Sequence, residues 1–318
     1  MATLREVVFL LLPVAGILIA LGLHLALPDV YPPQYEPSAY SLTLFVCLLI
    51  YLVFMIFACF FPKLRAVMLH LSGLLLVLFL LLEALDIGTL KTGILRLPFI
   101  PSPDKTLSTF TTHTAELGKS LLASLQLLLT GLAIGSVTGF ISGLLMGWSR
   151  LCSYWLSPVL KIIGPVPGAA WMPIAVAFMP TSHAAGLFLI ALAMWFPFTL
   201  MLSSSIRDTD KRLIEAARVL GASDAYLLLH VALPSSLPAI FTGMFMGLSN
   251  SFSALMAAEM LGVKAGLGWY ITWAQGWGEY GRVYSTVGVF IIIFFTLITL
   301  LFKVRDHVLK WQKGLIRW

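Results

Sequence analysis

The chain has 318 residues, of which 59% are hydrophobic and only 11% charged, and its mean hydropathy is +0.97. That leaves too few polar side chains to cover a soluble globule, so the sequence reads as a polytopic membrane protein. The net charge of +6 does not point to nucleic acid, because the basic residues sit between apolar runs instead of along one basic face.

Eight stretches are long enough to cross hydrocarbon: 7–27, 40–61, 67–87, 119–147, 155–178, 184–206, 237–261 and 282–302. The first follows Arg5 and runs into Pro28 and Asp29, a poor small-residue cleavage site, so it reads as a retained anchor. An even count puts both termini on one side. With that side cytosolic, 13 Lys and Arg lie inside, among them Arg65, Arg150, Arg207, Lys211, Arg212, Arg218, Lys303 and Arg305, against six outside. The positive-inside rule therefore places both termini, and the segment between the sixth and seventh spans, in the cytosol. Pro98, Pro101 and Pro103 mark residues 86–118 as an extracytoplasmic connection with a short interfacial helix after Asp104.

The fourth span carries Gly131, Gly135, Gly139, Gly143 and Gly147, a slowly winding groove that lets another helix approach closely. Such a groove serves either fixed packing within one subunit or a moving seam. In the fifth span Pro165, Pro167 and Pro173 break the backbone ladder, which is tolerated at membrane depth only against protein or a wet cavity. Lys161, just before them, is expected to snorkel to the cytosolic interface. The seventh span holds Ser249, Asn250, Ser251 and Ser253, and Glu259 near its outer end. Trp171, Ser249, Asn250, Ser253 and Glu259 form the candidate set for a translocation path, although inter-helix hydrogen bonding explains the serines and Asn250 equally well. Glu259 is expected to fix the outer mouth rather than to bind an anionic solute.

No metal site is expected, since Cys47, Cys59 and Cys152 and the six histidines show no ligand spacing. Gly118, Lys119 and Ser120 end like a phosphate-binding loop, but His113 stands where its first glycine is required. The chain is therefore expected not to be an enzyme.

Residues 207–236 are charged and lie between two apolar stretches. Asp208 or Asp210 can cap a helix running to about Leu220, Gly221 can take the left-handed conformation, Ser223 offers a second cap, and Pro234 is expected to end the next helix. Within this hairpin Glu215, Ala216 and Ala217 are followed after three residues by Gly221, and after nine more by Val231, Ala232, Leu233 and Pro234. The pattern resembles the cytosolic coupling loop of permease subunits in ATP-binding cassette importers, with Val231 where that loop has Ile. Pro101-Ser102-Pro103, the segment from Gly164 to Pro173, and Ala258-Glu259-Met260-Leu261-Gly262 are similar to stretches of the nitrate, sulfonate, taurine and bicarbonate group. Gly164 stands where that group commonly has Arg.

The resemblance implies an all-α fold of about eight transmembrane helices. Two extra N-terminal helices, residues 1–66, would precede a six-helix type I importer permease core, residues 67–318, with the coupling loop at 207–236. It implies that Glu215, Ala216, Ala217, Gly221, Leu233 and Pro234 couple the chain to ABC ATPase subunits that bind ATP and Mg. This chain would then hold no cofactor of its own. A second permease copy, an extracytoplasmic substrate-binding protein and the bilayer of a bacterial inner membrane complete the expected partners, and the solute would be a small oxyanion or organosulfonate. The alternative is a secondary transporter or channel working without an ATPase. It should show paired internal repeats, or carboxylates and cations buried within the spans, and neither stands out in the sequence.

Overall fold

The computed structural model describes residues 4–30 and 38–310, and these are helical with no strand among them. The chain forms two compact units, residues 1–116 with 273–287 and residues 117–272 with 288–318.

The first unit is built on α1 (Leu4–Ala26), α2 (Ala39–Phe60), α3 (Pro62–Asp86) and α4 (Pro103–Thr112). Ser38 caps α2 by accepting from the Ser41 N–H, and Ser102 caps α4 through the Lys105 N–H. A single residue, Phe61, links α2 to α3. Pro62 can follow at once because the first turn of a helix needs no N–H. α3 and α1 run parallel, with Gly16 against Leu76 and His24 bonded to Asp86. α2 runs antiparallel to them, its Tyr51 hydroxyl donating to the Leu10 carbonyl and its Tyr40 ring meeting the edge of His24. One apolar cluster gathers Leu10, Tyr51, Ala58 and Met68, and another Ile17, Ala20, Tyr40 and Leu44. The short helix expected after Asp104 is α4. Asp104 is buried, which pushes its carboxyl above the usual range, while the Tyr40 N–H that it accepts at 3.1 Å pulls the other way. The Ser285 hydroxyl fastens residues 273–287 to the Thr106 carbonyl.

The second unit begins with α5 (Thr114–Trp148) and α6 (Arg150–Ile163), then a tight turn at Gly168–Trp171, α7 (Met172–Phe178) and α8 (Ser182–Arg207). Three short helices follow: α9 (Lys211–Val219), α10 (Asp224–Leu227) and α11 (Leu233–Ser235). α12 (Leu237–Leu261), α13 (Leu267–Gly276) and α14 (Tyr280–Val308) follow, of which residues 273–287 belong to the first unit. The five glycines of α5 meet Ile190, Met194, Phe198, Leu202 and Ile206 of α8 in turn, a constant offset of 59 residues. The two helices therefore run parallel and in register, and a Cβ on any of these glycines would lie 2.5–3.0 Å from the facing helix. Of the two uses open to such a groove, the structure displays a packed seam within the chain.

α12 runs antiparallel to α8: Gly247 meets Met194, Gly243 meets Phe198, and the Ser251 hydroxyl donates to the Ile190 carbonyl at 3.1 Å. α14 is antiparallel to α12, with Phe252 against Phe290 and Phe294, and Phe245 against Phe302.

Parallel α5 and α8 require the intervening segment to cross the unit once. That segment is the span expected at 155–178, and its ladder is broken, as its prolines foretell. It starts at Arg150 and bends by 100° between α6 and the Gly168–Phe178 stretch. Pro165 and Pro167 lack the N–H groups that would carry the helix through, so the four-residue ladder stops at Gly164, which bonds back to Leu160, and one tighter turn from the Val166 N–H to the Ile163 carbonyl follows. With the seven long apolar helices, this broken one brings the spans among the described residues to eight.

Candidate functional site

At the break in the fifth span the chain passes close to α8, where a Cβ on Gly164 would lie 2.6 Å from the Phe196 ring. Beside it opens a cavity of about 320 Å³, walled by the unwound residues 163–171, by Leu189, Leu192, Ala193 and Phe196 of α8, and by Asn250, Ser253 and Ala254 of α12. Its lining is mostly apolar and includes no charged side chain. The Trp171 indole Nε1 is buried there without a partner among the described residues, and Asn250 and Ser253 add polar groups one turn apart. Such a pocket offers neutral groups to a small polar solute without the deep well that a fixed charge would create.

Three of the five path candidates, Trp171, Asn250 and Ser253, thus share one cavity. The other two do not reach it. Ser249 bonds the Phe245 carbonyl of its own helix and faces a separate groove formed with Phe252, Met256, Phe290 and Phe294. Glu259 is 1% exposed, and its Oε1 accepts from the Ser124 hydroxyl at 2.6 Å while Oε2 accepts from the Gly268 N–H at 2.7 Å. Ser124 Oγ in turn accepts from the Leu267 N–H at 2.8 Å. The first N–H groups of α13 are satisfied in this way, and α5, α12 and α13 are knotted together. Gly268 has to be small here, because a Cβ would lie 2.8 Å from that of Glu259. Nothing in the sequence pattern singles out Ser124; the only signal is that a carboxylate buried in a span needs donors. Ser124→Ala would strand both Glu259 Oε1 and the Leu267 N–H, and should destabilise the chain by about 1–3 kcal/mol. Thermal unfolding of the purified protein checks this, and an unchanged midpoint would contradict it.

Arg207, the last residue of α8, donates to the Met146 carbonyl and the Ser153 hydroxyl, both at 3.1 Å, and so fixes the base of the hairpin. Of the two possible caps, Asp210 is the one used, accepting from the Arg212 N–H at 2.9 Å. α9 presents Glu215 and Ala216 outward with Ala217 half-buried, and it ends on Val219 and Leu220, which are 88% and 87% exposed. Gly221 takes φ +86°, with open space on the side where a Cβ would project, and Ser223 caps α10 through the Tyr226 N–H.

Pro234 does not end the following helix as expected. A π-helical turn, Leu228–Ala232, loosens the ladder ahead of it, and Pro234 then sits in the first turn of α11, where its missing N–H costs nothing. Leu233 is half-buried and Pro234 exposed, while Leu227 and Ala232 are buried. Ala232 belongs to one apolar cluster with Met194, Phe198, Leu202 and Ile206 of α8 and Ile240 of α12. By helix direction, the hairpin shares its end of the unit with Arg150, Lys303 and Arg305. Lys161 is exposed beside Tyr154 and Trp155.

The chain thus combines up to eight candidate membrane spans, one of them broken by prolines at a small neutral cavity, with a capped helical hairpin at the basic end. The chain belongs to the family of binding-protein-dependent transport system inner membrane components, whose model matches residues 135–311. Curated relatives of the chain, among them one from Methanocaldococcus jannaschii that is 28% identical over 39% of this chain and 46% of its own length, are described as ABC transporter permeases. An Escherichia coli protein described as the aliphatic sulfonates transport permease SsuC is 31% identical over 155 residues, 48% of this chain and 57% of that one. The taurine transport system permease TauC of Escherichia coli is 30% identical, over 43% of this chain and 53% of its own length. The nitrate import permease NrtB of Synechococcus elongatus is 28% identical, over 38% and 43%. The chain spans about half the length of the curated relatives it matches. A crystal structure of an amino acid ABC transporter shares the fold, with a TM-score of 0.54 at 16% identity over 63% of this chain and 97% of that one.

Proposed function

We propose that the chain forms half of the translocation path of an ATP-driven importer for a small solute. A second permease copy supplies the other half, ABC ATPase subunits carrying ATP and Mg dock on the hairpin, and an extracytoplasmic binding protein delivers the solute. The observation that carries this reading is the hairpin. Leu213, Val219 and Leu220 are exposed apolar side chains on an otherwise charged loop, beside the small Ala216 and Ala217 and the carboxylate of Glu215. Exposed apolar groups rimmed by charge suit a protein partner. The positive-inside bias puts that loop in the cytosol, with both termini, where ATP is available.

In this reading Glu215, Ala216, Ala217 and Gly221 meet the ATPase, and Leu233 and Pro234 relay its closure into α12. Trp171, Asn250 and Ser253 line the path, while Ser249 and Glu259 hold the helices beside it. Alternating access follows as ATP-driven closure brings the coupling hairpins together. Residues 67–318 form the permease core and residues 1–66 add two peripheral spans in a bacterial inner membrane. The names of the sulfonate, taurine and nitrate relatives favour an oxyanion or organosulfonate.

Purification of the tagged chain from its native membrane in mild detergent tests this. A chain with a phosphate-binding loop should accompany it, and the complex should hydrolyse ATP faster when a loaded binding protein is added. Solute flux through the chain alone in liposomes, driven by an ion gradient, would instead favour a secondary transporter.

A further inference from the structure

The spans are not as free of buried charge as the sequence suggests. Where α1, α2, α3 and α4 meet, His24, Tyr40, Glu83, Asp86, Lys91 and Asp104 are all buried, with Asp29 half-exposed beside them. None of these residues lies in the 135–311 segment shared with the family, and the transport reading makes no use of them.

The hydrogen bonds fix where the protons are. The Ser38 hydroxyl donates to Ser41 Oγ at 2.8 Å, because the Ser41 proton is committed to the Ser38 carbonyl. Ser38 Oγ can therefore only accept from His24 Nε2, at 3.1 Å. His24 Nδ1 faces Asp86 Oδ2 at 2.7 Å, so the pair holds one proton between them and is neutral overall. Lys91 spends its three protons on Asp29 at 2.7 Å and on the carbonyls of His24 at 2.6 Å and Leu27 at 2.9 Å. Asp104 Oδ1 takes the Tyr40 N–H at the start of α2. Among the described residues no cation is hydrogen-bonded or ion-paired to Glu83.

Glu83 is 2% exposed, and its Oε2 accepts from the Tyr40 hydroxyl at 3.1 Å. Its Oε1 is buried with no partner among the described residues, and so is Oδ1 of Asp86, one turn further along the same helix. An ionised Glu83 would be a buried, uncompensated charge next to a second carboxylate, the costliest arrangement of these groups. A proton on Glu83 removes that charge, and Asp86, one turn along α3, carries an Oδ1 that has no other partner among the described residues and can accept from it. Among the described residues no group of ligands suits a metal ion.

We propose that Glu83 is a proton-binding site: it is held as the neutral acid, with its proton directed at Asp86, and it closes the junction of α1, α2, α3 and α4. Losing that proton puts an unpaired negative charge in the junction, so its stabilisation is complete below about pH 4.3, where the unfolded carboxyl is protonated too, and is lost as pH rises through the range in which the folded group ionises. His24, Asp29, Tyr40, Asp86, Lys91 and Asp104 are the titratable or charged groups around it. Glu83→Gln mimics the neutral acid, its carbonyl accepting from Tyr40 and its amide donating to Asp86, but it cannot ionise.

The test is infrared difference spectroscopy and thermal unfolding of the full chain in lipid nanodiscs. Wild type minus Glu83→Gln should show one protonated-carboxyl band at neutral pH. Glu83→Gln should melt with wild type near pH 4 and keep its midpoint as pH rises, where wild type falls; Glu83→Ala should melt below Glu83→Gln throughout. A difference spectrum without that band, or a Glu83→Gln variant with the wild-type loss on raising the pH, overturns the assignment. Should Glu83→Gln fail to accumulate, Tyr40→Phe removes the donor to Oε2 and must shift the band without abolishing it; an unshifted band would also overturn it.

Discussion

Gly221→Asp should leave the protein in the membrane and cut ATP-driven uptake on the order of 100-fold. The chain at Gly221 is left-handed, and open space surrounds it. Aspartate is one of the few residues that visits this conformation, at a strain of about 1–2 kcal/mol, so the isolated chain should fold. The new carboxylate stands next to the exposed Val219 and Leu220, and docking an ATPase there would bury it without a partner. Such a charge costs several kcal/mol, and about 3 kcal/mol already corresponds to a hundredfold loss of assembly. The check is uptake and solute-dependent ATP turnover by the reconstituted complex; normal turnover in the variant would count against docking at this tip.

Gly135→Leu should prevent the chain from accumulating at all. A Cβ at this position would lie 2.5 Å from the Ala191 carbonyl oxygen and 2.6 Å from Met194 Cβ, atoms of a helix packed in register along its whole length. Overpacking typically costs about 1–3 kcal/mol even for small additions, so Gly135→Ala should already lower the unfolding midpoint. A leucine cannot be housed without parting α5 from α8. Gly118, on the same helix, has nothing within 4 Å, and Gly118→Ala should be neutral or stabilising. Equal membrane levels of Gly135→Leu and Gly118→Ala would mean that the seam is not closed in the working protein.

Much of this fold was legible because the signals are local. Apolar length located the spans within a few residues, and the Asp210 and Ser223 caps with Gly221 between them outlined the hairpin. Hydropathy counts length but not direction: the prolines of 155–178 marked a break in the ladder, but not that the span turns there by 100°. Neighbouring residues of α12 show a second limit. Ser249 and Asn250 are about 100° apart on a helix, and only the packing of α12 between α8 and α14 decides which faces the cavity. Partners far apart in the chain were the least accessible. Ser124 and Glu259 are separated by 135 residues and His24 and Asp86 by 62, and nothing in the local pattern pairs them. Glu83 and Asp86 stand at the end of an apolar run, where hydropathy alone does not separate an interfacial carboxylate from a buried one.

A cysteine at Ala217, half-buried beside the exposed face of α9, offers the most direct probe of the coupling hairpin. In the purified complex, a short bifunctional reagent should join it to a nucleotide-binding subunit, and the yield should change between nucleotide-free and ATP-bound states. Labelling of the same cysteine by a membrane-impermeant reagent added outside intact cells, or full ATP-driven transport with the hairpin joined to nothing, would contradict a cytosolic handle for an ATPase.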